Sequence, residues 1–181
     1  KKILYEEMLY NFAYFDESTK LANRHMMIKR LEERLEGRQE SEELAVLNIE
    51  IDNLRMIKDT FGRGVAEQVM VNAARILENQ FCGKNHDISR TNEGEFIVVL
   101  GDVESHEDVE HCVEKLLDTF SHPISTSDRG AGRLFIILRI GISLYPNNGP
   151  DAKTLLRSAD LAGFEAITKK EDFVFYEERM G

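Results

Sequence analysis

Two apolar arms joined by a turn, residues 87–101 (DISRTNEGEFIVVLG), constrain the fold of this chain more than any other stretch. Phe96-Ile97-Val98-Val99-Leu100 is an unbroken apolar run rich in β-branched residues, the pattern of a central strand covered on both faces. Residues 88–91 supply the other arm. Asn and Gly tolerate positive φ, so Asn92-Glu93-Gly94 predicts a three-residue hairpin loop. A hairpin rising from a buried sheet presents its turn at the sheet's end, a common place for ligands. Function therefore depends on the chemistry this turn carries.

A second apolar strand, residues 44–52 (LAVLNIEID), ends in two carboxylates, Glu50 and Asp52. Acids at a strand end beside a loop suit a hard cation, and a capped strand end is the alternative. Residues 53–61 read as a short helix, with Gly62 and Gly64 as breakers. Val65, Val69, Ala73, Ile76 and Leu77 mark an amphipathic helix, as do Val109, Cys112, Val113, Leu116, Leu117 and Phe120. Residues 133–144 (RLFIILRIGISL) predict one long strand. Leu155, Leu156, Ala159, Ala162, Gly163 and Ala166 give a last helix whose small residues permit close packing, and residues 173–176 close the sheet.

At the other end, Tyr5, Met8, Leu9 and Phe12 form a helical stripe within residues 1–15. This helix either packs on its own domain or ends a dimeric connector from an upstream module. Asp16-Glu17-Ser18-Thr19 can cap the next helix, whose stripe is Met27, Ile28, Leu31 and Leu35. Residues 36–43 read as a charged, solvated loop. The class is α/β, or α+β, with a central, mainly antiparallel five-stranded sheet flanked by helices.

With 42% apolar residues in 181, one well-buried domain is expected. No run is long and apolar enough to span a membrane, and the charge of −10 argues against duplex nucleic acid as a partner. The chain opens Lys1-Lys2 without an initiator Met or signal pattern, so a cytoplasmic piece of a longer protein is expected. Two cysteines, Cys82 and Cys112, suggest reduced, structural thiols.

In sequence order, the chain resembles the GGDEF family, the diguanylate cyclases that join two GTP molecules into cyclic di-GMP. DESTKLANR at 16–24 is similar to D-x-L-T-G-L-x-N-R, and EIDNLRMIKDTFGR at 50–63 to D-I-D-x-F-K-x-I-N-D-x-x-G-H. Arg90-Thr91-Asn92-Glu93-Gly94-Glu95-Phe96 takes the place of R-x-G-G-D/E-E-F. Ile140-Gly141-Ile142-Ser143 and Ala159-Asp160 match later landmarks. The resemblance implies a nucleotidyl-cyclase-like palm fold over residues 16–177, with 1–15 as connector and 178–181 opening a linker.

The departures fall on the chemistry that the resemblance implies. Asn92 and Glu93 replace glycines that let a triphosphate approach the backbone, and Glu93 would repel phosphate. Gly94 replaces an acid that ligates Mg²⁺. The other metal positions are Glu50, one methylene longer than the family's Asp, and Ile51; both are vestigial. Among nucleotide-binding positions, Lys58 replaces a guanine-reading Asn, and an ammonium only donates. Glu67 replaces the paired Asp, and a salt bridge to Lys58 is its expected fate. Arg55 keeps the charge of one phosphate-contacting lysine, while Ile167 replaces the other. The product-inhibition motif R-x-x-D would fall on Gly83-Lys84-Asn85-His86, which does not match, so His86 reads as a surface loop residue.

These departures imply an inactive domain with a regulatory or dimerisation role in a larger cyclic di-GMP signalling protein. The expected partners are other domains of that protein, including a phosphodiesterase domain of the EAL type downstream, and a second copy as homodimer. GTP binding should be weak or absent, with no cofactor beyond Mg²⁺ accompanying residual nucleotide. A GTP-binding regulatory pocket and an active cyclase with an unusual site are the alternatives.

Overall fold

Alternation decides how the apolar runs are used. In the computed structural model, which describes residues 1–37, 42–82, 85–127 and 130–181, strand β1 (Leu44–Ile51) lies at the centre of a five-stranded sheet. Its order is β2 (His86–Asn92), β3 (Glu95–Leu100), β1, β6 (Leu138–Tyr145), β7 (Phe173–Phe175). All neighbours are antiparallel except β6 and β7. Ala45, Leu47 and Ile49 pair with Leu100, Val98 and Phe96 and face one core. Helices α3 (Leu54–Phe61), α4 (Arg63–Gln80) and α5 (His106–Thr119) cover that face. Leu44 and Val46, with Ile97 and Val99, feed a second core under α2 (Arg24–Glu36) and α6 (Ala152–Lys169). A strand buried on both faces needs no polar alternation, which explains the continuous runs.

The small-residue face of α6 works as expected: a Cβ on Gly141 of β6 would collide with the backbone of Gly163. Other elements differ from expectation. The long strand over 133–144 is broken, because Arg133–Leu134 (β5) pairs with Ile124–Ser125 (β4) in a separate ribbon. Asn53 then satisfies the chain between β5 and β6, its side chain donating to Phe135 O at 3.0 Å and accepting from Ile137 N–H at 2.9 Å. Asn23, rather than residues 16–19, caps α2 through Met26 N–H. Asp16 instead accepts from the Thr19 amide and hydroxyl. Part of the expected charged loop, residues 38–41, lies outside the described residues.

Helix α1 (Lys2–Tyr14) buries no residue, and Phe12 is 85% exposed. Its stripe does not pack on the domain. The helix is joined at its base, where Asn23 Nδ2 donates to Ala13 O at 2.8 Å and Lys29 lies 5.4 Å from the Tyr14 ring centre. Among the described residues, no helix is long and apolar enough to cross a membrane.

Candidate functional site

The β2–β3 turn is tighter than the composition suggests. Asn92 pairs with Glu95, so only Glu93 and Gly94 form the turn, and a bulge lies between Arg90 and Asn92. Gly94 avoids the positive-φ region, unlike Gly62 and Gly132. Its role is packing: a Cβ there would stand 2.9 Å from Leu54 Cδ2 and 3.8 Å from Ile51 O. Ile51 N–H donates to Gly94 O at 2.9 Å, which holds the turn against the end of β1. An acid at position 94 would therefore begin beside the Ile51 carbonyl.

Arg90 organises one side of this turn. It is 8% exposed, and its guanidinium grips both carboxylate oxygens of Glu67 on α4, with Nη2–Oε2 at 3.2 Å. Nη1 also reaches Asp16 Oδ2 at 3.2 Å, and Nη2 donates to Glu93 O at 2.7 Å. The loop carrying Asp16 is zipped to β2 through Ala22, whose carbonyl accepts from Arg90 N–H at 2.9 Å. Burial pushes the Asp16 carboxyl up, but hydrogen bonds from Thr19 and the Arg90 charge outweigh it and leave it below its ordinary value.

The expected bridge between Lys58 and Glu67 does not form. Arg90's planar fork matches both Glu67 oxygens, which a lysine cannot do. Lys58 Nζ instead meets Glu93 Oε1 at 2.9 Å. Its hydrogen bond and charge hold the Glu93 carboxyl below its ordinary value, with Arg63 and Arg90 adding to the effect. Asp52 pairs with Arg139 Nε at 3.2 Å, not with the α3 cations, and Arg55 is exposed. The charges thus pair with groups on the hairpin and β6 rather than with one another across α3 and α4. Beneath them a pocket of about 560 Å³ is lined by Leu54, Arg63, Glu67, Met70, Arg90 and Glu93.

The other side of the turn is acidic. A cavity of about 190 Å³ is lined by Glu50, Glu95, Asp160 and Ile167, among others. Glu50 and Glu95 sit opposite each other in the β1–β3 register. Burial raises the Glu50 carboxyl, and repulsion from Glu95, Asp52 and Asp160 adds to it. Asp160 is raised by burial and Glu95, against the opposing pull of Arg24 and a hydrogen bond from Asn48 Nδ2 at 2.6 Å. Glu95 Oε1 accepts from Thr91 Oγ1 at 2.6 Å.

Of the expected metal positions, Glu50 and Ile51 lie at this corner and Gly94 contributes no ligand. Mg²⁺ prefers several oxygens in near-octahedral array. Among the described residues no group of three or more His, Cys, Asp or Glu is arranged to hold a metal. Of the positions expected to ligate it, Glu50 alone supplies a side-chain carboxylate. Ile167, which the resemblance leads one to expect in place of a lysine, lines the cavity and brings it no charge. Gly83 and Lys84 lie outside the described residues, whereas His86 opens β2, half-buried, its ring edge-on to Phe81 at 5.7 Å. It is a strand residue, not a loop residue, because it pairs with Leu100 of β3. Sequence reading missed Arg90 as the centre of the network. A lone arginine inside an apolar hairpin was the available signal.

A sequence model described as "Diguanylate cyclase, GGDEF domain" matches residues 13–172. The chain is 31% identical over 155 residues to diguanylate cyclase TpbB of Pseudomonas aeruginosa, covering 85% of this chain and 35% of that protein. It is 26% identical over 174 residues to the bifunctional diguanylate cyclase/cyclic di-GMP phosphodiesterase MucR of the same species, covering 95% of this chain and 25% of MucR. A solved structure of the isolated GGDEF domain of TpbB superposes with a TM-score of 0.83 at 28% identity, covering 92% of this chain and 96% of that one. The chain thus spans 35% and 25% of the two full-length relatives.

Proposed function

This chain belongs to the GGDEF domain family, and on that premise we propose that it is a catalytically inactive member with a regulatory or dimerisation role in a larger cyclic di-GMP signalling protein. Gly94 carries the reading. It stands against Ile51 at the corner where the family places its metal-ligating acid, and it supplies no carboxylate. Phosphoryl transfer depends on metal and positioned charge more than on covalent chemistry, so a lost ligand is poorly tolerated. Ile167 and the ion pair between Lys58 and Glu93 add to the loss on both sides. The exposed stripe of α1 supports the dimerisation role, with a second copy as partner. Within the larger protein the domain is placed in the cytoplasm, beside other domains of the same chain.

The test is direct. The purified domain, given GTP with Mg²⁺ or Mn²⁺, should form no cyclic di-GMP even when dimerised by a fused zipper. Product that scales with protein concentration and disappears in Glu50→Ala would overturn the proposal.

A second reading is a pocket that binds GTP without reacting and controls a neighbouring EAL-type phosphodiesterase domain. The pocket of about 560 Å³ beside Glu67 favours it. So does MucR, whose name joins both activities. Millimolar GTP should then raise the melting temperature while ATP does not. The inactive reading expects GTP to shift it no more than ATP does.

A further inference from the structure

Resting on the reading above, we propose that Lys58 and Arg63 form a binding site for phosphate-class anions, and that Glu93 occupies this site in cis as a tethered anion. Lys58 stands where the family resemblance places an amide that both donates and accepts. An ammonium only donates, so this corner selects a charged acceptor rather than a base with mixed donors and acceptors. The Glu93 carboxylate is such an acceptor, 2.9 Å from Lys58 Nζ, with Arg63 contributing to the same positive field. Arg55, one helical turn before Lys58 on α3, offers a further cation to a longer polyphosphate.

The neighbouring groups are already engaged. Arg90 is committed to Glu67, Asp16 and the Glu93 carbonyl. Glu67 has both carboxylate oxygens turned to Arg90, which weakens them as acceptors for the N1–H and N2–H of guanine. The site therefore reads charge and not base. The Glu93 side chain is 64% exposed, so its ion pair is open to screening and displacement. A multiply charged phosphate competes with a single carboxylate, and removing the carboxylate's charge leaves the cations to it.

The experiment is calorimetric titration of tripolyphosphate, GTP and ATP at low ionic strength into the unaltered domain, Glu93→Gln, Lys58→Ala and the double variant. Glu93→Gln should bind all three ligands roughly two- to fivefold more tightly than the unaltered domain, the scale of one exposed charge interaction. GTP and ATP should gain alike, and the double variant should lose the gain. No gain in Glu93→Gln, a gain that survives Lys58→Ala, or a gain confined to GTP would each overturn the proposal. Melting curves check that the variants are folded. Cyclic di-GMP is measured in the same samples, so turnover by the unaltered domain would overturn the inactive reading alone, and absent anion binding would overturn this one alone.

Discussion

The two sides of the Glu93-Gly94 turn carry similar numbers of carboxylates and treat them in opposite ways. On the α3–α4 side, Glu67 and Asp16 meet Arg90, and Glu93 meets Lys58. On the α6 side, Glu50, Glu95 and Asp160 converge on a cavity whose wall includes Ile167, with the Arg24 charge opposing only the shift of Asp160. One side is charge-balanced and the other repels itself. The contrast shows that an apolar Ile167 in this wall leaves the acids around it short of positive charge.

The sharpest way to break this comparison is Arg90→Ala. It strips the buried partner from Glu67 and Asp16 and the donor from the Glu93 carbonyl. Loss of one partner of a fully buried pair costs about 3–5 kcal/mol. Because Glu67 and Asp16 are partly exposed, about 2–3 kcal/mol is expected here. Thermal unfolding should show Tm lower by roughly 5–10 °C. An unchanged Tm would mean that the network is not a structural centre.

Restoring the missing acid, Gly94→Asp, should leave cyclic di-GMP formation undetectable, because metal, phosphate and base contacts act together. The new Cβ meets the end of the Leu54 side chain, which can swing aside. A cost of about 1 kcal/mol is expected, at the lower end of overpacking effects. Clear turnover in this single variant would show that one ligand was the whole defect.

A smaller effect distinguishes the acidic side by its sign. Glu50 is raised in the folded state, so the native protein binds that proton more tightly than the unfolded chain does. Ionised Glu50 therefore costs stability at neutral pH, and the cost is relieved as pH falls through the raised value. Glu50→Gln should increase Tm at pH 7 by about 1–3 °C, and the gain should disappear near pH 4. Asp16 is shifted downward, so its contribution is present at neutral pH and is lost only below the ordinary carboxylate range. A Glu50→Gln effect independent of pH would remove the distinction between the two sides. Least of all should change in Glu93→Gln, whose exposed pair contributes little to stability, and its Tm should match that of the unaltered domain.

Much of this protein is legible in its sequence alone. Runs such as 44–51 and 96–100 specify buried strands, because only a strand covered on both faces can use uninterrupted apolar residues. Ordered blocks around Asp16, Glu50 and Arg90 were enough to place the family. Tertiary structure decided the rest. Whether Lys58 would choose Glu67 or Glu93 depended on Arg90, which arrives from another strand and fits Glu67 better. Whether residues 133–144 formed one strand depended on Ile124–Ser125, which pairs with Arg133–Leu134, and on Asn53, which captures Phe135 and Ile137 from 82 and 84 positions away. Local pattern records what each segment can bury. Which polar partners meet is settled by register and packing between distant segments, where several carboxylates compete for few cations.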